Sequence, residues 1–235
     1  MKSILLFLVT IATCLNSTAQ SKMAVMVLGS DHLARQKQQL EEMANYLKTK
    51  QIRVVKFFYP NTEWSKIVNE SKNCDFFIYA GHGCSNCGLD GEYGGLVLNE
   101  FITANRMQAE LKFQKQPIVI ILNSCGAAGR ASDDDKSTTK KELIKRIFDT
   151  ATPYFTCGAR GYYASNWYNE YEVFLDNYLI NYSVKKSFEL SADWESDSIE
   201  YLITSKGILE NKHFGVKYSI RNGLTHFSTA FIGRD

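Results

Sequence analysis

The sequence predicts an α/β domain in which a mainly parallel sheet of about six strands lies between two layers of helices. Short, unbroken apolar runs alternate with longer segments in which apolar residues recur at helical spacing. The first run, 23–28 (MAVMVL), is followed by 32–49, which carries Leu33, Leu40 and Leu47 at such intervals. Alternation of strand and helix predicts parallel pairing, with helices covering both faces of the sheet.

The same alternation continues to the end of the chain. Further strands are predicted at 52–58, 74–80, 118–122, 154–157, 161–164 and 226–232, and further helices at 62–71, 100–113, 142–150 and 168–182. The segment 130–141 is charged and has no apolar periodicity, so we expect an exposed loop there. Because no repeat or interdomain linker interrupts the pattern, residues 20–235 are predicted to form one domain.

The first residues have the organisation of a secretory signal peptide. Lys2 precedes an apolar run over 4–12, and small residues follow at 17–19. We therefore expect 1–19 to be removed on export to the periplasm or the extracellular space. The run is shorter than the ~20 residues that cross a bilayer, so no membrane span is expected. Cys14 leaves a lipoprotein anchored through this cysteine as the alternative.

Charge gives no indication of a nucleic-acid partner. The chain has 27 basic and 25 acidic residues, a formal net charge of +2, and the two signs are interspersed. A protein that binds nucleic acid or an anionic membrane through a broad surface usually shows an excess of basic residues. Neither partner is expected.

The cysteine count predicts a free thiol. Six cysteines are present, and removal of the one at position 14 with a signal peptide leaves five. An odd number in an oxidising compartment leaves at least one cysteine outside any intramolecular disulfide. Cys74 and Cys157 fall within apolar segments and are expected to be core residues.

Two predicted strands end in glycine-rich segments that contain reactive side chains. One end reads YAGHG and includes His82, and the other reads LNSCGAAG and includes Cys125. In an open α/β sheet, ligands bind beyond the carboxyl ends of the strands. If the two strands are neighbours, an imidazole and a thiol share one crevice.

This pairing predicts nucleophilic catalysis. An adjacent imidazole can lower the pKa of a thiol below its free value of ~8.5, which makes Cys125 the candidate nucleophile and His82 its acid and base. Glycine lets the backbone turn sharply and approach a substrate, so the amides of Gly83 and Cys125 are the candidate oxyanion hole. His32, His213 and His226 are weaker candidates for the base, since none follows a strand between glycines.

These segments resemble the caspase-like cysteine peptidases, a superfamily that includes caspases, legumain, gingipains, clostripain, separase and the CHAT peptidases. In that group a His-Gly follows one strand and the nucleophilic cysteine follows the next. Here Cys125 follows His82 by 43 residues, in the context N-S-C-G. The CHAT peptidases are the most similar, through 95–111, 158–167 and 226–235.

The resemblance implies a caspase-like three-layer sandwich and an exported cysteine endopeptidase that acts on peptides or proteins without a cofactor. It also implies that Asn123, Ser165 and Trp167 line the substrate pocket. Clostripain-like enzymes carry an aspartate at the position of Asn123 and prefer basic residues, so this chain lacks the main determinant of that preference. Relatives are often cut after the nucleophile, which makes the lysines of 130–141 candidate processing sites. These are Lys136, Lys140 and Lys141.

The Cys84-x-x-Cys87 pair leaves several interpretations open. It can form a local disulfide, a redox pair or half of a zinc site. No second C-x-x-C or histidine pair completes a zinc site, so no metal is expected and a disulfide is preferred. Two alternative functions therefore stand beside the peptidase: a non-catalytic binding module, and a thiol oxidoreductase that uses Cys84 and Cys87. The sequence gives no indication of the oligomeric state.

Overall fold

The computed structural model describes residues 21–29, 34–89, 93–132, 134–166, 170–191, 198–203, 207–221 and 224–234. The strands are β1 (Met23–Leu28), β2 (Arg53–Phe58), β3 (Phe76–Ala80), β4 (Leu96–Val97), β5 (Phe101–Ile102), β6 (Ile118–Leu122), β7 (Gly161–Ser165), β8 (Ser198–Ile203), β9 (His213–Arg221) and β10 (Leu224–Gly233). The helices are α1 (Ala34–Thr49), α2 (Trp64–Ser71), α3 (Ala104–Glu110), α4 (Lys140–Thr156), α5 (Glu170–Leu179) and α6 (Val184–Leu190), with a 3-10 turn at Gly207–Leu209.

A single sheet contains eight of the strands in the described part of the chain, in the order β2-β1-β3-β6-β7-β10-β9-β8. The first five of these pair in parallel. The last three are antiparallel to their neighbours. The prediction of an α/β fold with a mostly parallel sheet is confirmed. The sheet has more than the six or so strands expected because β8 and β9 were not predicted.

Helices cover the sheet on both faces, which makes three layers. On one face, Val25, Phe77 and Val119 belong to a core that also includes residues of α2, α3 and α4. On the other face, Ile78 and Ile120 belong to a core shared with α1, α5 and α6. Strands that are buried on both faces need apolar residues at successive positions, which explains the unbroken apolar runs in the sequence.

The segment 154–157 was predicted as a strand, but its first three residues end α4 and Cys157 is the C-cap. Tyr154 and Phe155 continue the buried face that Ile147 and Ala151 begin, at helical spacing. A four-residue apolar run cannot be assigned to strand or helix from its own periodicity. The helix continues through this run because its preceding turns already bury one face in the core.

Two predicted helices begin at different residues from those expected, and in each case a threonine side chain caps the N-terminus. The predicted helix 100–113 splits into β5 and α3, because Thr103 lies at the N-cap and accepts a hydrogen bond from the Arg106 amide. Thr139 caps α4 in the same way by accepting from the Glu142 amide. As a result, α4 starts at Lys140, inside the segment that was expected to be a loop.

The region of the predicted signal peptide, 1–19, and Cys14 within it lie outside the described residues. Among the helices that are described, none has both the length and the apolar character needed to cross a membrane.

Candidate active site

The two glycine-rich segments meet because β3 and β6 are neighbours in the sheet. These strands pair in parallel, and Ala80 lies opposite Leu122 at their carboxyl ends. His82 and Cys125 therefore follow adjacent strand ends by two and three residues. The condition that the sequence analysis required, neighbouring strands, is met.

Gly83 lies directly against the backbone of Cys125. A Cβ atom added at Gly83 would lie 2.0 Å from the Cys125 carbonyl oxygen and 2.7 Å from its backbone nitrogen. Such distances are far shorter than any van der Waals contact, so only glycine fits at this position. The contact brings the histidine loop and the cysteine loop together at the two residues predicted to form the oxyanion hole.

Tyr79 holds the histidine loop in place. Its hydroxyl donates to the carbonyl of His82 at 2.9 Å, lies 3.1 Å from the carbonyl of Val97 and accepts the amide of Val97 at 3.2 Å. Tyr79 is buried, and burial raises the pKa of its hydroxyl. The hydroxyl therefore stays protonated and available as a donor, while the His82 side chain is exposed.

The cysteine loop is a tight turn with left-handed backbone on both sides of the thiol. Asn123 has φ of 52° and Gly126 has φ of 80°. The Ala127 amide donates to the Ser124 carbonyl at 3.1 Å, and the Gly126 amide donates to the Arg130 carbonyl at 2.7 Å. A non-glycine residue in this conformation is strained, and such residues cluster at functional sites.

The amides of Gly83 and Cys125 have no acceptor within the described part of the chain. An oxyanion hole requires N–H groups that are not already engaged within the protein, and both of these amides meet that condition among the described residues. No hydrogen bond joins the His82 imidazole to the Cys125 thiol among the described residues. In ligand-free enzymes such hydrogen bonds are often long and shorten only when substrate binds.

Cys125 differs from every other described cysteine in its surroundings. Cys74 and Cys157 are buried, and burial raises the pKa of these thiols to about 12 and about 11. Cys84 and Cys87 form a disulfide bond. Cys125 is free and partly exposed. It is thus the accessible thiol of the described chain.

The predicted pocket residues lie at the same edge of the sheet. Ser165 ends β7 opposite Leu122, and its carbonyl accepts the Asn123 amide at 2.8 Å. The Asn123 side chain donates to Gln39 of α1 at 2.8 Å, so this hydrogen bond ties it to the helix. Trp167 lies outside the described residues.

The other histidines are less well placed than His82. His213 pairs with Gly233, which in turn pairs with Gly161 at the start of β7, so His213 lies at the opposite edge of the sheet. His226 lies on β10, which β7 separates from β6. His32 is outside the described residues.

A cluster that the sequence did not predict lies against Gly126 of the cysteine loop. A Cβ atom added at Gly126 would lie 2.5 Å from the ring of Tyr93, and the Arg146 guanidinium lies 5.0 Å from the centre of that ring. Arg146 is buried, pairs with Asp134 and binds Glu142 at 2.7 Å. The spacing of Glu142 and Arg146 could have indicated an ion pair on a helix, but nothing in the sequence connects Tyr93 to Cys125.

The candidate processing sites have different local structures. Lys136 is exposed between the cysteine loop and α4. Lys140 and Lys141 are the first two residues of α4, and the Lys140 ammonium lies 4.4 Å from the centre of the Tyr218 ring. Lys136 is therefore the one that a peptidase can bind without unwinding a helix.

The disulfide lies next to the histidine loop and is tied to the residues that flank the β4–β5 hairpin. The Cys84 carbonyl accepts the Gly94 amide at 3.1 Å, and the Cys87 carbonyl accepts the Ala104 amide at 2.7 Å. Within the described residues, no group of three or more histidine, cysteine, aspartate or glutamate side chains is placed to hold a metal ion.

Alkylation of the native protein should distinguish the thiols. We expect iodoacetamide to modify Cys125 and to leave Cys74 and Cys157 unmodified, because the reactive thiolate is neither populated nor accessible at the two buried sites. Peptide mapping by mass spectrometry after brief treatment measures this. Modification of Cys74 or Cys157 at the rate of Cys125 would contradict the assignment, and denatured protein provides the control in which all three react.

No family model matches this chain, and no curated protein matches its sequence.

Proposed function

We propose that this protein is an exported cysteine endopeptidase with a caspase-like fold, in which Cys125 is the nucleophile and His82 is the general acid and base. The observation that carries the proposal is the contact of Gly83 with the Cys125 backbone at the ends of two adjacent parallel strands. This contact brings the histidine loop next to the loop that carries the accessible thiol, and the Gly83 and Cys125 amides are both without an acceptor among the described residues. Acyl transfer needs those groups together.

The proposed reaction has two steps. The Cys125 thiol gives its proton to His82, and the sulfur attacks the scissile carbonyl carbon and forms a C–S bond, while the carbonyl oxygen becomes an oxyanion that accepts from the Gly83 and Cys125 amides. His82 protonates the leaving amine as the C–N bond breaks. It then takes a proton from water, which attacks the acyl-enzyme and releases the carboxylic acid and the thiol.

The proposed substrate is a peptide or protein chain bound across the carboxyl ends of β3, β6 and β7. Asn123 and Ser165 lie at this edge, and we propose that they form one wall of the pocket together with Trp167. Asp134 pairs with Arg146, so its charge is already neutralised at that site. Neither Asn123 nor Asp134 therefore supplies a free negative charge that would select a basic residue before the scissile bond.

The oxidoreductase alternative is disfavoured by the surroundings of the disulfide. Cys84 and Cys87 lie in the loop between β3 and β4 and not at the first turn of an α-helix, where the helix N-terminus would lower the pKa of a thiol. A non-catalytic binding module remains the main competitor, and catalytic activity separates it from the peptidase.

Cleavage of a peptide library tests the proposed activity. Replacement of the nucleophile in Cys125→Ala should abolish cleavage, and His82→Ala should lower kcat by about 100-fold or more because general acid–base catalysis typically contributes that much. Wild-type activity should be lost after alkylation with iodoacetamide and retained in a metal chelator. Equal cleavage by wild type and Cys125→Ala, or none by wild type, would refute the proposal.

Gly83→Ala tests the oxyanion hole. The added methyl group would clash with the Cys125 carbonyl oxygen and push the two loops apart, so we expect kcat to fall by about 100-fold or more with the circular dichroism spectrum unchanged. Ser85→Ala, at an exposed position of the same loop, is the matched control and should retain wild-type kcat. A Gly83→Ala variant with wild-type kcat would show that the contact has no catalytic role.

Self-processing is expected at Lys136. Wild-type protein incubated alone should yield a fragment that begins at Ser137, whereas Cys125→Ala stays intact; N-terminal sequencing identifies the cut. Lys141→Gln is the matched control and should be processed like wild type, because Lys141 lies in α4. If wild type and Cys125→Ala both stay intact, the self-processing hypothesis is refuted.

A further inference from the structure

A groove of about 750 Å³ opens at the amino-terminal ends of the parallel strands, whereas the candidate active site lies at their carboxyl ends. Lys22, Gln116 and Arg160 line it just before β1, β6 and β7 begin, and Arg234 lines it just after β10 ends. These positions share one edge because β10 runs antiparallel to β7. The five residues of β6 separate this edge from Cys125 by about 17 Å at ~3.3 Å per residue.

The groove concentrates positive charge. Four of its lining residues are basic, and none of the described lining residues is acidic. The basic residues are Lys22, Arg160, Lys212 and Arg234. Setting these four aside leaves 23 basic residues against 25 acidic ones in the whole chain, so the rest of the molecule carries a small negative charge.

Lys212 is held in the groove beside a second cation. It is 8% exposed, its ammonium donates to the Ile208 carbonyl at 2.6 Å, and it lies 5.1 Å from the centre of the Phe155 ring. Burial and the nearby charge of Arg234 both lower the pKa of Lys212. Two cationic side chains, Lys212 and Arg234, are therefore close to each other in the groove.

The remaining wall is aromatic and apolar. The Arg160 guanidinium lies 5.4 Å from the centre of the Tyr178 ring, and Tyr182 and Ile208 are 42% and 48% exposed. Asp75 is close enough to Tyr178 to contribute to its raised pKa, after the larger effect of burial. Asp75 is engaged elsewhere, by the Met23 amide at 2.8 Å and by Lys115 at 3.5 Å, so its charge is already compensated.

We infer that this groove binds a small organic anion that carries several phosphate or carboxylate groups, at a site separate from Cys125. Arginine recognises both kinds of group through paired N–H donors, and Arg160 and Arg234 supply two guanidinium groups. The groove volume falls within the range of small-molecule sites, and the aromatic wall suits the organic part of such a ligand. The inference does not depend on the proposed peptidase activity.

Calorimetric titration with tripolyphosphate tests the groove, using the full chain with Cys125→Ala so that catalysis plays no part. We expect saturable binding of one anion per chain that weakens as sodium chloride is added. The double substitution Arg160→Gln, Arg234→Gln should weaken binding by about tenfold or more, since it removes both guanidinium groups. Both residues are exposed, so the fold should persist, and circular dichroism checks this.

The matched control is Lys136→Gln, Lys141→Gln, which removes the same two charges at exposed positions away from the groove. It should bind within about twofold of the parent. If the parent binds neither tripolyphosphate nor citrate saturably, or if both double variants weaken binding equally, the inference is overturned. Citrate binding at the same residues would identify carboxylates as the preferred groups. Binding to vesicles of phosphatidylserine and phosphatidylcholine without binding of tripolyphosphate or citrate would overturn it in favour of a lipid surface.

Discussion

Parallel pairing of β3 with β6 is the constraint on which the candidate site depends. The register places Ala80 opposite Leu122, so the chain leaves both strands at the same level of the sheet. The loops that follow then meet at Gly83 and Cys125. Since side chains alternate between the faces of a strand, a shift of one residue in this register would exchange the two faces of β3 and bury different side chains in each core.

Two buried tyrosines connect the core to these loops. Tyr79 of β3 donates to the His82 carbonyl, and Tyr162 of β7 donates to the Ala127 carbonyl at 2.9 Å. Burial raises the pKa of both hydroxyls, which keeps them protonated as donors. Each ring packs in the core on the α2–α3–α4 face of the sheet while its hydroxyl reaches a loop backbone. The core therefore fixes the loops through hydrogen bonds as well as through chain connectivity.

Most of the parallel half of the sheet could be predicted from sequence, because strands buried on both faces leave unbroken apolar runs such as 23–28 and 118–122. The antiparallel end was harder. β9 contains His213 and Lys217 among apolar residues and has no such run. The run at 154–157 misled because a buried helix face and a short strand have the same composition.

Those parts of the candidate site that depend on backbone conformation could be predicted from the positions of glycine residues. Glycine beside His82 and after Cys125 indicated sharp turns, and the structure has a close contact at Gly83 and a left-handed residue at Gly126. Contacts that join distant segments were not predictable. Tyr93 reaches Gly126, and Asn123 binds Gln39 of α1, through tertiary packing that no local pattern records.

The most direct test of the proposed active site is a crystal structure of the protein after reaction with a peptide aldehyde. We expect a covalent bond between the Cys125 sulfur and the aldehyde carbon. The resulting oxygen should lie about 2.7–3.1 Å from the Gly83 and Cys125 amide nitrogens, with the His82 imidazole on the side of the leaving group. Failure of Cys125 to form the adduct, or an adduct whose oxygen faces solvent away from both amides, would contradict the proposed active site.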